Sequence, residues 1–277
     1  MRFGIQNDGS IMKPHIPVLL EEAVNGLQVA PGKRFIDATY GGGGHASEIV
    51  GRGGEVLGID VDPDTGPNAA HGNFRNIEKI AKENGFSEVD GILFDLGVSS
   101  HQLDTASRGF SYRFGDAPLD LRLNQNEGET AAELLARVSE DELYEILATF
   151  GEEEHSRAIA TLVVRARRVN PVKTTGDLLK IIGKKAASQV FQALRIVIND
   201  ELNALKEGLH GAKDLLKPNG RLAVISFHSL EDRIVKKFLK TDAWKLITKK
   251  PIVAADIERK ANSRARSAKL RIAEKEV

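Results

Sequence analysis

Four consecutive glycines, in Asp37-Ala38-Thr39-Tyr40-Gly41-Gly42-Gly43-Gly44-His45, stand directly behind a short apolar run and ahead of a helix-like stretch. Backbone without side chains can pass close to a ligand at such a place. Asp60 ends the next apolar run, Glu55 to Asp60, where a carboxylate can accept hydrogen bonds from both hydroxyls of a ribose. Together these residues read as a site for an adenosine-bearing cofactor. Which one stays open at this point, because Gly41-x-Gly43-x-x-Ala46 with Asp60 downstream also satisfies a loose dinucleotide fingerprint. A methyl donor and NAD both fit, and a tight turn with Asp60 capping a helix would use the same residues without any ligand.

The surrounding elements must position those groups. Arg34 to Thr39 and Glu55 to Asp60, with a helix between them, make a βαβ unit, and Gly91 to Asp95 adds a further buried strand. A helix carrying Leu19, Leu20, Ala23, Val24 and Leu27 precedes them and stops at Pro31-Gly32. From about residue 104 the texture turns helical, with capping boxes at Thr130-x-x-Glu133 and Ser139-x-x-Glu142 and its own apolar stripe. Parallel topology resumes with a helix from Val190 to Leu216, a stop at Pro218-Asn219-Gly220 and a strand from Arg221 to Phe227. Trp244–Thr248 and Ala268–Ala273 are expected to close the chain as an antiparallel hairpin. The expected organisation is an extension at 1–12, an α/β core at 13–103 and 189–277, and a helical insertion at 104–188 placed to recognise RNA.

Composition bounds the chemistry. The 277 residues include 41% hydrophobic and 28% charged residues and no cysteine, which excludes disulfides, thiolate metal sites and cysteine nucleophiles. No apolar run approaches the roughly 20 residues of a bilayer span, and no leader is visible, so a cytoplasmic protein without a membrane partner is expected. Seven scattered histidines show no ligand spacing, and no metal is expected. The formal net charge is zero, yet Lys236 to Arg271 holds twelve Lys or Arg against three acids, and Glu127 to Glu154 is acidic. One face can therefore hold phosphate while another repels it.

The third strand ends in Asp95-Leu96-Gly97-Val98-Ser99-Ser100 rather than in a hydride-partner site, and the chain closes in a basic hairpin, so methyl transfer fits better than hydride transfer. Pro17-Val18-Leu19-Leu20 with His15-Ile16 before it, the glycine motif, and Asp95 to Asp104 form one series of motifs. Arg108-Gly109-Phe110-Ser111-Tyr112, Pro118 to Arg122, Phe150-Gly151-Glu152-Glu153 and Phe191 to Ile196 continue it, and Ile225 to Arg233, Thr248 to Ile252 and Ser263 to Arg271 complete it. With these in order, the chain from Pro14 onward resembles the bacterial 16S ribosomal RNA cytosine N4-methyltransferase family. It departs from the family's pattern between Asp60 and Phe74, where Pro63 to Pro67 looks like a bare turn, and at Ala187 to Val190, where the family carries a basic stretch.

The resemblance implies an α/β, class I S-adenosylmethionine-dependent methyltransferase (Rossmann-like) sheet with an inserted helical domain. It implies S-adenosyl-L-methionine as cofactor and a cytidine of 16S rRNA in the decoding region as substrate, within the assembled small subunit, with the enzyme a monomer or homodimer. Cofactor contacts then fall on Gly43, Gly44, His45, Asp60, Phe74, Asp95 and Gln102, with Phe74 covering adenine. Cytosine's amine is a poor nucleophile because its lone pair is delocalised, so acceptors on its hydrogens favour attack. Asp95 and the turn bearing His228 and Ser229 are the candidates, His228 to contact the base or take the proton after transfer. Phe110, Tyr112 and Phe114 are aromatic candidates to receive an extruded base. Two other readings remain: an NAD-linked oxidoreductase, and a non-catalytic assembly factor reading RNA shape through Lys249, Lys250, Arg264 and Arg266.

Overall fold

A computed structural model describes residues 17–276. The expected extension at 1–12 and the His15-Ile16 pair lie outside the described residues. Seven strands form one sheet: β1 (Arg34–Asp37), β2 (Glu55–Asp60), β3 (Ala69–His71), β4 (Val89–Asp95), β5 (Leu216–Ser226), β6 (Trp244–Leu246) and β7 (Lys269–Lys275). Their order is β3-β2-β1-β4-β5-β7-β6, with β7 antiparallel to both neighbours and β1 to β5 parallel. This is the class I methyltransferase arrangement, a Rossmann-like sheet.

Parallel strands covered on both faces need apolar side chains on both sides, which is why β1, β4 and the second half of β5 read as continuous runs. The strand order reverses between β1 and β4, which pair through Phe35↔Gly91 to Asp37↔Leu93. Asp37, Asp60 and Asp95 therefore end neighbouring strands on one carboxyl edge, and that edge is the crevice in which open α/β sheets bind ligands.

Eleven helices are described. α1 (Leu20–Gly26) and α2 (Gly44–Gly51) cover one face of the sheet; α3 (Ile77–Glu83) belongs to the other, and α4 (Ser100–Asp104) follows β4. α5 (Ala131–Arg137), α6 (Glu140–Gly151) and α7 (Ser156–Arg167) pack with α8 (Thr175–Asn199) around a separate apolar core containing Leu134, Leu147, Ile159, Val163, Val190 and Phe191. α9 (Glu201–Leu215), α10 (Ser229–Phe238) and α11 (Asp256–Ala261) complete the set. Both expected capping boxes are formed, Thr130 with Glu133 and Ser139 with Glu142. α8 is broken at Gly183 (φ 75°, ψ 163°), and its second part runs through residues 188 and 189, carrying Val190 and Phe191 into the core of the helical region.

Three local expectations are corrected. The helix expected over Val190 to Leu216 is two helices, because Asp200 adopts the left-handed region (φ 47°), a conformation Asp tolerates better than most residues, and so ends α8 and starts α9. The supposed bare turn after Asp60 holds a 3₁₀ turn at Pro63–Thr65, capped by the Asp62 side chain, and then β3, whose three residues pair with Gly58 to Asp60. So short a strand has no periodicity to read, and only its neighbour defines it. The last two strands do pair antiparallel, but α11 and a 3₁₀ turn at Ser263–Arg266 lie between them, so the connection is a long excursion rather than a hairpin turn.

Candidate active site

A cavity of about 850 Å³ opens at the carboxyl ends of β1, β2 and β4. The glycine loop forms its floor. Tyr40 N–H donates to Ile59 O (3.0 Å) and Gly41 N–H to Asp60 Oδ2 (2.7 Å), which ties the loop to β2. Gly43 sits at φ +70°, where a Cβ would also lie 2.5 Å from the Tyr40 hydroxyl, and a Cβ on Gly44 would lie 2.2 Å from Pro17 Cγ. The run is therefore glycine for two separate reasons, a left-handed turn and a close approach. Gly41, Gly42 and Gly44 border the cavity, whereas Gly43 shapes the turn behind them and starts α2.

Of the residues expected at the cofactor, His45, Asp60, Phe74, Asp95 and Gln102 also border this cavity. Asp60 accepts from Gly41 N–H and, through Oδ1, from Asp62 N–H (2.9 Å); burial nevertheless raises its pKa above the usual carboxylate range. The Thr65 side chain also bonds this carboxylate and, with the two amides, opposes the effect of burial. Phe74 packs edge-on against Phe94, with centroids 5.5 Å apart, so it serves the core and the cavity together. His45 points Nε2 at Val18 O (3.1 Å) and Nδ1 toward Asp95 Oδ2, 3.7 Å away. Val18 O can only accept, so Nε2 carries a proton.

Asp37 and Asp95 are the electrostatic centre. Burial lifts their pKa values to about 7 and about 8, the charge of Asp60 adding to the rise at Asp37 and that of Asp37 to the rise at Asp95. Asp95 Oδ1 and Asp37 Oδ2 are buried and have no hydrogen-bond partner. Asp95 keeps 22% exposure and borders the cavity, so a ligand there meets a carboxyl group poised near neutrality.

A buried charge network, not foreseen from the sequence, holds the far wall. Arg108 (1% exposed) donates from Nη1 to Asp62 Oδ2 (2.8 Å) and from Nη2 to Leu123 O (2.7 Å). Gln102 donates from Nε2 to the same Asp62 oxygen (2.7 Å), and its Oε1 accepts from Ser99 N–H (2.9 Å). Both ends of the Gln102 amide are thus engaged within the protein. The network ties the insertion, through Leu123, to the segment that follows Asp60. Arg108 lay in a motif legible in the sequence, but nothing local marked its side chain as buried.

The C-terminal segment supplies another wall. Ala261, Asn262 and Arg264 border the cavity, Arg264 reaches Ser100 Oγ, and Glu258 Oε1 accepts from Leu19 N–H (2.8 Å). Part of the basic stretch thus lies at the cofactor cavity rather than on a remote face.

His228 and Ser229 stand apart from that cavity. His228 caps α10, its Nδ1 facing Glu231 N–H at 3.4 Å, and it borders a smaller hollow of about 190 Å³ instead. Ser229 bonds Glu152, and Asp232 pairs with Arg271 Nε (2.7 Å), so Ser229, His228 and Asp232 face separate partners. Glu231, which the sequence reading did not single out, borders the large cavity; its Oε2 accepts from Phe227 N–H (2.7 Å), and His228 heads the groups that outweigh burial to hold its pKa low. Glu201, His228 and Glu231 bring ligand-type atoms within 4.8 Å of one another. However, the Nδ1 contact places the His228 proton on Nε2, which lies 3.0 Å from Glu231 Oε1 without an aligned hydrogen bond, and Glu201 grips Arg195 with both oxygens (2.7 and 2.9 Å). The trio is a charge cluster with few lone pairs to offer a cation. Of the expected aromatics, Phe110 and Tyr112 border the smaller hollow and Phe114 borders neither.

Comparison with known proteins adds sequence evidence. The model of the MraW methylase family matches residues 12–276. The ribosomal RNA small subunit methyltransferase H of Deinococcus radiodurans is 50% identical, covering 94% of this chain and 89% of its own. The protein of the same name from Heliobacterium modesticaldum is 44% identical, over 94% of this chain and 98% of its own. A solved rRNA methylase from Streptococcus thermophilus superposes with a TM-score of 0.44 at 11% identity, over 96% of this chain and 99% of that one.

Proposed function

The chain belongs to the MraW methylase family, and from that premise we propose that it moves a methyl group from S-adenosyl-L-methionine to the N4 amine of a cytidine in the decoding region of 16S rRNA. The observation that carries this reading is the pairing of a side-chain-free loop with the orphaned Asp95 oxygen at one cavity.

The residues present fit the cofactor. Gly41, Gly42 and Gly44 leave backbone open to the methionine part, Asp60 borders the cavity where its carboxylate can accept from a ribose hydroxyl, and Phe74 presents a ring to adenine. When bound, the cofactor supplies a methyl group on a positively charged sulfur, already activated for transfer. The protein must then hold a nitrogen lone pair in line and keep water out. Asp95 acts on that nitrogen. Its carboxylate accepts from an amine hydrogen, which favours the pyramidal geometry, and takes the proton the nitrogen sheds as the new C–N bond forms. With its pKa raised to about 8, the ionised form is a stronger base than an ordinary Asp carboxylate, and its share grows as pH rises toward that value. His228, whose free lone pair caps α10, and Ser229, held by Glu152, set the turn that carries Phe227 and Glu231 to the cavity. The substrate is taken in the assembled small subunit, with the basic C-terminal stretch toward phosphate.

Labelled methyl transfer to small subunits lacking this modification, followed by nucleotide mapping, tests the reading. Label on the N4 of one 16S cytidine is expected. Label on another base or on protein, or tight calorimetric binding of NAD in place of S-adenosylmethionine, overturns it.

A further inference from the structure

Seven acidic side chains border the cofactor cavity, and among the described residues Arg264 is the only Arg or Lys that joins them. It stands part-buried in the 3₁₀ turn Ser263–Arg266, which the Asn262 side chain caps by accepting from Arg264 N–H (3.2 Å). Its Nη2 donates to Ser100 Oγ, and Ser100 opens α4 five residues beyond Asp95. The guanidinium is thereby held against the segment that leaves β4. We propose that Arg264 is a positioning residue for the reaction, its fixed positive charge keeping the Asp95 side chain in the carboxylate form that can take a proton from the substrate amine. The proposal rests on the methyl-transfer reading given above, in which Asp95 meets that amine.

The groups around Asp95 show why a cation is needed. Asp95 is faced from β1 by Asp37, from α10 by Glu231 and from α2 by His45, whose Nδ1 lies 3.7 Å away. Burial and the two acids all favour the protonated carboxyl, and His45 commits Nε2 to Val18 O. Arg264 opposes them. The effect is mutual, since Asp95 and Asp104 support the Arg264 charge against its own burial. A guanidinium also keeps its proton throughout the physiological range, so the support does not fade as pH rises. The hydrogen bond to Ser100 adds a second condition. Arg264 acts on Asp95 through space, while Asp95 Oδ1 stays buried without a hydrogen-bond partner and open to an amine. A direct bidentate ion pair would occupy both carboxylate oxygens and weaken them as bases.

Arg264→Gln removes the charge and keeps a donor for Ser100, whereas Arg264→Lys keeps the charge. In cofactor-free protein carrying carbon-13-labelled aspartate, NMR follows the Asp95 carboxyl from pH 5 to pH 10, its signal assigned by its loss in Asp95→Asn. The titration midpoint is expected to rise by about one pH unit or more in Arg264→Gln and to stay close to wild type in Arg264→Lys. At saturating cofactor and small subunit, the single-turnover methyl-transfer rate of Arg264→Gln should fall about tenfold at pH 7 and approach wild type at high pH, because below the midpoint each unit is about tenfold in carboxylate. A midpoint that does not move in Arg264→Gln, or that moves as far in Arg264→Lys, overturns the proposal. A midpoint that moves while the rate keeps its wild-type pH profile leaves the action of Arg264 on Asp95 standing, and it is then the reading of Asp95 as proton acceptor that fails.

Discussion

The two cavities that meet at Val98 and Phe227 are built from opposite materials. The larger is held by backbone hydrogen bonds and buried charge: Asp60 grips two amides, and Asp62 is shared between Arg108 and Gln102. The smaller is walled chiefly by rings and aliphatic side chains contributed across the junction with the insertion. Buried charges with fixed partners resist displacement, because leaving one unpaired is costly, whereas apolar walls tolerate adjustment. A small, unvarying cofactor suits the first construction.

The sharpest way to break this comparison is Arg108→Met, which leaves Asp62 buried with its cation removed. A loss of about 3–5 kcal/mol in urea-denaturation stability is expected, and a loss under about 1 kcal/mol would show that the network does not anchor the cofactor wall. Asp95→Asn should come next, with S-adenosylmethionine still bound and the single-turnover methyl-transfer rate reduced roughly 100-fold or more. An unchanged rate would remove Asp95 from the chemistry. Gly43→Ala forces a side chain into the left-handed region and against Tyr40. We expect about 1–2 kcal/mol of destabilisation and a clear weakening of cofactor affinity by calorimetry.

The remaining prediction concerns pH dependence. Because Asp37 and Asp95 have pKa values raised to about 7 and about 8, the folded chain holds protons that the unfolded chain has already released. Stability from these two groups is therefore full below the ordinary carboxylate pKa and declines as pH rises to about 8. Melting temperatures measured from pH 5 to pH 9 should fall on this account, and Asp95→Asn should flatten the slope. A wild-type slope identical to that of the variant would mean that Asp95 titrates as an ordinary surface acid.

Much of the larger cavity was legible in the chain. The glycine run, Asp60 and Asp95 each follow an apolar strand, and local spacing sufficed because one βαβ unit and its neighbour carry them all. The Arg108–Asp62 pair was not legible, since its members lie 46 residues apart and neither has a local partner that marks it as buried. β3 escaped notice because three residues hold no period, and α8 and α9 merged because a single left-handed Asp200 separates them. The turn at His228 was visible, but its role as helix cap depended on the side-chain geometry at Glu231.

The βαβ unit, the acids that end β2 and β4 and the helix caps at Thr130 and Ser139 follow from the sequence alone, because hydrophobic periodicity, glycine clearance and capping act over a few residues. Which acids become buried and lose their ordinary pKa, which arginine closes the cofactor wall, and how a second hollow comes to share Phe227 with the first were decided only by tertiary packing. Desolvation and long-range charge pairing depend on what the rest of the chain places nearby, and no local stretch of residues contains that information.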